Sequence, residues 1–169
     1  TNATITAGSG LVGIKEQDAW RITSALTTSS TNEIVTANWE RDDSVMASQL
    51  IGTGMTESSG VFTFPSTGIW SIRWYMTCNG NGGARTWIQS MIMVSTDDES
   101  NWNYGAFAFG QAFENGAYAS GAAEFIFKVS NVTSHKIRFN IYGSGDSRLL
   151  GSSSVNNTHA VFTRIGDLS

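Results

Sequence analysis

The chain has 169 residues, with 14 acidic and 10 basic side chains and a formal net charge of −4. This acidic balance gives no positive field to attract a phosphate backbone, so nucleic acid is not expected as a partner. No run approaches the roughly 20 consecutive apolar residues of a membrane-spanning helix, so membrane insertion is not expected either. Cys78 is the only cysteine, which excludes an intrachain disulfide and a multi-cysteine zinc site, and its apolar neighbours predict a buried thiol.

The first 18 residues show little apolar periodicity. Residues 5–14 have a glycine-punctuated, extended pattern, Ile-Thr-Ala-Gly-Ser-Gly-Leu-Val-Gly-Ile. This pattern predicts a linker or the end of a fibre shaft over 1–18, followed by one domain over 19–169. The same glycines match a dinucleotide-binding fingerprint, but a strand pattern follows them where that fingerprint needs a helix, so no cofactor is expected.

From Trp20 onward, apolar and polar residues alternate with the period of two that is typical of strands with one buried face. The clearest case is 69–78, whose apolar face consists of Trp70, Ile72, Trp74, Met76 and Cys78. The same alternation predicts strands over 19–25, 34–39, 60–64, 86–96, 104–113, 117–130, 136–142 and 159–165. Only 42–49 has a helical pattern, which predicts a two-turn connector. Short strands with glycine and asparagine turns between them predict an all-β sandwich or barrel.

Two segments resemble a known superfamily. Residues 60–72, Gly-Val-Phe-Thr-Phe-Pro-Ser-Thr-Gly-Ile-Trp-Ser-Ile, are similar to the hallmark of complement globular heads, in which a phenylalanine strand leads to a proline, a glycine turn and an aromatic strand. Residues 160–168 resemble the last strand that these heads share with the tumour necrosis factors. The resemblance covers 19–169 and implies a ten-stranded, two-sheet jelly-roll sandwich that assembles as a homotrimer.

The resemblance also implies that one sheet is buried twice, by its own core and by neighbouring subunits. The second faces of strands 69–78 and 159–165 keep apolar side chains, and exposed apolar faces need a partner. The residues expected at the subunit interface are Ile69, Arg73, Tyr75, Glu124, Val161 and Ile165.

A candidate ligand surface centres on Trp102, which lies in the polar segment Asn-Trp-Asn-Tyr of 101–104. A tryptophan in such a loop offers an amphipathic platform for a sugar ring. Alternatively, Trp102 folds back over the sandwich or packs between subunits. The full set predicted for this surface, with the arginines taken as loop residues, is Arg85, Trp102, Tyr104, Tyr118 and Arg148.

No catalytic residue and no metal site are predicted. The segment Gly145-Asp146-Ser147 lacks the strand-to-helix context of an esterase nucleophile, so neither His135 nor His159 is expected to act as its base, and both are expected at the surface or the rim. The acidic run 97–99 lacks the EF-hand spacing and is expected to be a solvated hairpin loop rather than a calcium site. A jelly-roll glycosidase would need two carboxylates in one groove, for which the candidates are Glu57, Glu114 and Glu124.

The start of the chain resembles the glycine-rich segments at the ends of trimeric phage fibre shafts. We therefore expect a non-enzymatic, trimeric head domain of a phage fibre or appendage on the virion surface. Such a head serves in virion decoration or in host attachment, by binding a cell-surface receptor or glycan. The alternatives are a secreted, extracellular complement- or cytokine-like ligand and a carbohydrate-binding module.

Overall fold

The computed structural model describes residues 13–43 and 50–168, and these residues form strands and loops without a helix. Among them, no helix is long and apolar enough to cross a membrane. The strands of the described residues are β1 Gln17–Ile22, β2 Leu26–Thr28, β3 Glu33–Ile34, β4 Trp39–Arg41, β5 Thr56–Ser58, β6 Val61–Thr63, β7 Gly68–Gly80, β8 Arg85–Ser95, β9 Asn103–Ala112, β10 Tyr118–Val129, β11 Lys136–Gly143, β12 Ser147–Leu149 and β13 His159–Gly166.

The predicted strands of the central and C-terminal chain agree with β7 to β11 and β13 to within about two residues. The single strand predicted over 34–39 is wrong, because Asn38 adopts a positive φ of 63° and separates β3 from β4. The described residues contain 13 strands rather than the predicted ten, since several are only two or three residues long. Strand β1 begins at Gln17, inside the predicted linker, and most of the helix predicted over 42–49 lies outside the described residues.

The strands form two antiparallel sheets. In sheet I the order is β4-β1-β13-β7-β10, and β12 with β2 continues beside β13 along the same edge of β7. In sheet II the order is β5-β6-β11-β8-β9, and β3 extends the β6 side of β11. Strands β9 and β10 are therefore the edge strands of the two sheets, and they pack against each other on one side of the sandwich.

Aromatic side chains fill the space between the sheets. Trp74 from sheet I stacks on Phe139 from sheet II, with ring centroids 4.6 Å apart, and Phe62 lies 5.7 Å from Phe139. Trp70 and Trp74 are almost fully buried, as predicted, whereas Trp20 is only partly buried against Phe62. Burial of these rings supplies much of the hydrophobic stabilisation, because each aromatic side chain removes about 150–250 Å² from water.

The proline and glycine of the 60–72 motif occupy a turn between the sheets. Strand β6 ends before Pro65, which has no amide hydrogen to donate to a ladder, and β7 begins at Gly68. Gly68 has φ near 150°, and a Cβ at this position would lie 2.7 Å from the carbonyl oxygen of Gly166. Glycine is therefore required here by a close approach to the last strand.

The two sheets come closest together along β9 and β10. The inward residues of β9 and of the first half of β10 are small, whereas Phe125 and Phe127 point inward from the second half of β10. A Cβ added to Gly110 would lie 3.2 Å from the carbonyl oxygen of Ser120. Farther along, a Cβ added to Gly121 would lie 3.5 Å from the Cβ of Ala108. These contacts place Ala108 of β9 opposite Gly121 of β10.

Candidate functional site

The outer face of sheet I carries five of the six residues predicted at a subunit interface. Glu124, Arg73 and Val161 lie side by side on β10, β7 and β13 in direct register. Ile69 and Tyr75 project from β7 on the same side, because they alternate with the buried residues of the core. The sixth residue, Ile165, lies at the bulge of β13 and is 55% exposed.

One ion pair lies in the middle of this face. The Arg73 guanidinium is 3.2 Å from the Glu124 carboxylate, and both side chains are about half exposed. Hydrogen bonds from Ser71 and then from Arg73 hold the pKa of Glu124 below its ordinary value. An exposed pair of this kind contributes little to stability, but it orients two charges on this face.

A pocket of about 380 Å³ opens beside this ion pair. The rings of Tyr75 and His159 stack with centroids 4.6 Å apart and form one wall, and Ser120, Gly121 and Ala122 of β10 form another. Burial lowers the pKa of His159, and its Nδ1 is buried without a hydrogen-bond partner. Among the described residues, no Asp, Glu, Lys or Arg lines the pocket, so these walls are uncharged when His159 is neutral.

A buried ionic cluster borders the pocket on the side of β1. Arg21, the register partner of His159, is 2% exposed and contacts three carboxylates, those of Glu40, Asp42 and Asp43, at 2.8 to 3.0 Å. Asn156 donates to Asp42 at 2.8 Å. The cluster ties β1 and β4 to the loop before β13 and so fixes the backbone on which His159 lies.

The residues predicted for a ligand surface lie at two opposite ends of the sandwich. At one end, Tyr118 and Arg148 flank Asn79 in register, and Arg85 donates to the carbonyl oxygen of Asp146. Arg85 and Arg148 belong to strands β8 and β12, so the expectation that both lie in loops is wrong.

Trp102 and Tyr104 lie at the other end. Arg138 of β11 packs over the Trp102 ring, with its guanidinium carbon 4.1 Å from the ring centroid. Trp102 therefore folds back over the sandwich, which is the alternative that the sequence left open. Tyr104 is 62% exposed beside it. The structure brings Tyr118, Arg148 and Arg85 to one end of the molecule and separates them from this pair.

His135, Cys78 and Asp97, the other titratable residues considered above, are buried in the fold or hydrogen-bonded within their own loop. His135 is buried at 8% exposure, which corrects the expectation of a surface position, because it stacks against Phe127 in the turn before β11. Cys78 is fully buried, as predicted, and burial raises its pKa to about 12. The Asp97 carboxylate accepts hydrogen bonds from Asn101 and Ser95 within its own loop.

The three glutamates that a jelly-roll glycosidase would need occupy separate parts of the fold. Glu57 lies in β5 at the far edge of sheet II and accepts from the Gly60 amide, Glu114 lies in the turn after β9, and Glu124 lies on the outer face of sheet I. Among the described residues, no group of three or more His, Cys, Asp or Glu side chains is arranged to hold a metal ion.

Sequence reasoning missed a row of exposed aromatic side chains along β9. Tyr104, Phe107, Phe109 and Phe113 are 62%, 53%, 57% and 82% exposed. We call these four residues the edge surface. The sequence alternates small and aromatic residues here, which suggests aromatic rings in the core. In the structure the alanines and glycines face the core, because the sheets approach closely at this edge, and the rings point outward.

The strand order and the two packed sheets define a jelly-roll sandwich of the tumour necrosis factor type. Among solved structures, the Eiger TNF from S. frugiperda matches with a TM-score of 0.62 at 10% identity, over 93% of this chain and 96% of that chain. Murine APRIL at pH 8.5 matches with a TM-score of 0.59 at 13% identity, over 89% of this chain and 100% of that chain. No family model and no curated protein matches the chain. The similarity therefore establishes the fold predicted from the 60–72 motif.

Proposed function

We propose that this chain is a non-enzymatic binding module that works as a homotrimer, in which the edge surface of each subunit packs on the outer face of sheet I of the next. The observation that carries this proposal is the pair of exposed apolar surfaces on one subunit. The outer face of sheet I presents Ile69, Tyr75, Ile126 and Val161, and Ile126 is 51% exposed.

The edge surface supports an association by its size. At about 200 Å² for each aromatic side chain, the exposed parts of its four rings amount to on the order of 500 Å². This area equals the largest apolar patch of a typical monomer, about 300–600 Å², and such patches commonly mark interaction sites. Strands β9 and β10 are also long edge strands of 10 and 12 residues, and exposed apolar edges of this kind associate unless they are covered.

The proposed assembly is a closed ring. The edge surface and the face of sheet I are different surfaces, so a contact between them is heterologous, and a heterologous contact that closes forms a ring rather than a two-fold dimer. The number three comes from the resemblance to complement heads and tumour necrosis factors. Light scattering at micromolar concentration tests it, and a monomeric mass would refute the assembly.

We further propose that the trimer is the head of a virion fibre or appendage that attaches to a host-cell receptor or glycan, or that decorates the virion. The glycine-rich pattern of 5–14 supports this assignment through its resemblance to phage fibre shafts. Tyr118, 74% exposed, and Arg148 offer an aromatic and cationic contact at one end of each subunit, which fits a sugar or a receptor loop.

The second candidate is a secreted, cytokine-like ligand, with which the fold shared with murine APRIL and with Eiger TNF is compatible. Binding of the labelled trimer to whole bacterial cells, with competition against phage adsorption, separates the two. The virion proposal predicts saturable binding that falls in the double variant Tyr118→Ser/Arg148→Ser. Absence of binding to any phage-susceptible bacterial strain would contradict it.

A further inference from the structure

We propose that the Phe107–Phe109 pair of one subunit packs into the Tyr75–His159 pocket of the next subunit. This inference rests on the proposed trimer and names the side chains that lock neighbouring subunits together. It assigns the pocket on sheet I to a second copy of this chain.

The first step is to find where the two phenylalanines lie along the strands of one subunit. Gly121 packs against Ala108, and Gly110 packs against the Ser120 backbone. The residues on either side of Ala108 point outward from sheet II, because Ala108 itself faces the core. Phe107 and Phe109 therefore lie beside the middle of β10.

The second step is to find where the pocket lies along the same strands. Gly121 pairs with Met76, and Ala122 pairs with Tyr75, in the register between β10 and β7. These residues line the pocket. The pocket and the Phe107–Phe109 pair consequently lie at the same height along the strands, although they face opposite sides of the sandwich.

The rotational symmetry of the ring places the phenylalanines of one subunit at the height of the pocket of the next. The edge surface and the face of sheet I both run along the strands, and we take the axis of the ring to run in the same direction. Rotation about an axis leaves the height along that axis unchanged. Each phenylalanine pair therefore meets the neighbouring subunit at the level of its pocket.

The chemistry of the two surfaces is complementary. The stacked rings of Tyr75 and His159 offer a flat wall to an incoming ring, and aromatic rings pack well in edge-to-face or offset geometry. Phe109 is held between Phe107, at 5.5 Å, and Trp87, at 6.5 Å, so it loses little rotamer freedom on docking. An uncharged pocket suits an apolar side chain, and a polar sugar would leave these phenylalanines exposed.

A disulfide between subunits tests the contact. The full chain carrying Phe109→Cys and Tyr75→Cys is oxidised and run on a non-reducing gel. Within one subunit these side chains point in opposite directions from the sandwich, so a bridge between them can form only between subunits. Each subunit contributes one of each cysteine, and the expected product is a covalent trimer. Cys78 does not compete, because it is fully buried.

The matched control is Phe109→Cys with Lys128→Cys. Lys128 is exposed on the same strand and face as Ala122 and lies six residues away, about 20 Å along the strand. No covalent trimer is expected from this control. Equal cross-linking in both variants would overturn the proposal, because it would show collisions without a defined contact.

The outcome separates this inference from the trimer itself. A wild-type trimer in light scattering, with no cross-link in the Phe109–Tyr75 variant, would overturn the pocket contact and leave the assembly standing. A wild-type monomer would overturn both. The exposed substitution Ala122→Trp tests the same contact without removing Tyr75. It fills the pocket, and we expect at least tenfold weaker trimer association, whereas unchanged association would contradict the proposal.

Discussion

Replacement of Asp18 by alanine should destabilise the domain strongly, because Asp18 is a buried carboxylate with several hydrogen-bond donors. Asp18 is 1% exposed, and its carboxylate accepts from the Trp20 indole at 2.8 Å, from the Met55 amide at 2.7 Å and from Arg41 at 3.0 Å. The substitution removes the acceptor of the buried Met55 amide and of the part-buried Trp20 indole, and it leaves Arg41 with its hydrogen bond to the Met55 carbonyl oxygen. Breaking a buried ion pair costs about 3–5 kcal/mol, and each stranded donor adds about 1–3 kcal/mol, with overlap between these effects.

Urea unfolding followed by tryptophan fluorescence measures this cost. All proteins are compared at one chain concentration, since assembly makes the midpoint depend on concentration. Asp18→Ala should lower the free energy of unfolding by at least about 3 kcal/mol. The control Asp167→Ala removes an exposed carboxylate that pairs with Arg164, and it should stay within about 1 kcal/mol of wild type. If Asp18→Ala does not fold, Asp18→Asn keeps one acceptor and should fall between the two. A loss below about 1 kcal/mol in Asp18→Ala would refute the reasoning.

Three further predictions follow from local geometry. Gly68→Ala should destabilise the domain by more than the roughly 1–3 kcal/mol of a strained φ, because its Cβ also meets the Gly166 carbonyl oxygen. The control Gly82→Ala, with a φ of 83° and open space around the added Cβ, should cost only the strain. Equal midpoints of the two variants in thermal unfolding would contradict this prediction. Burial lowers the pKa values of His135 and His159, so the unfolded state takes up protons before the folded state as the pH falls from 7 to 5. The free energy of unfolding should therefore decrease over that pH range. Urea titrations that gave the same free energy of unfolding at every pH would contradict this prediction. The Cys78 thiol, with a pKa near 12, should react with a thiol reagent only after unfolding, and rapid labelling of the native protein would contradict its burial.

The long strands could be predicted from the sequence because they bury one face and expose the other. In β7 and β11 this alternation is interrupted only at Ser71 and Asn140, and the observed bounds agree with the pattern. Strands β2, β3 and β12 contain only two or three residues, which is too short to show a period. Their positions depend on pairing with distant strands, such as the contact of β12 with the end of β7.

The outer face of sheet I could likewise be predicted, since its residues are the second half of the same alternation. Register between strands cannot be obtained from one strand alone, so the alignment of Glu124, Arg73 and Val161 emerges only in the structure. The edge surface was missed for a different reason. Its phenylalanines have the composition of core residues, and their exposure follows from the small inward residues of two strands together.

The ionic cluster around Arg21 likewise depends on residues that are distant in the chain. Its carboxylates come from Glu40, Asp42 and Asp43, about 20 positions away in the chain. The sequence shows a charged run at 40–43, Glu-Arg-Asp-Asp, but it does not show which residue this run contacts, because an ion pair depends on the fold that brings its members together. Contacts between neighbouring strands that are distant in the chain, such as β1 and β4, are therefore the part of this protein that its local pattern leaves undetermined.

Sedimentation equilibrium over a range of concentrations tests most directly whether the apolar edge of one subunit covers the sheet face of another. The wild-type chain should give three times the mass of one subunit in the micromolar range, and Phe107→Ser/Phe109→Ser should shift toward the mass of a single chain while keeping the native β-sheet circular dichroism spectrum. A wild-type protein that stays monomeric at high concentration, or a double serine variant that assembles as strongly as wild type, would contradict this account.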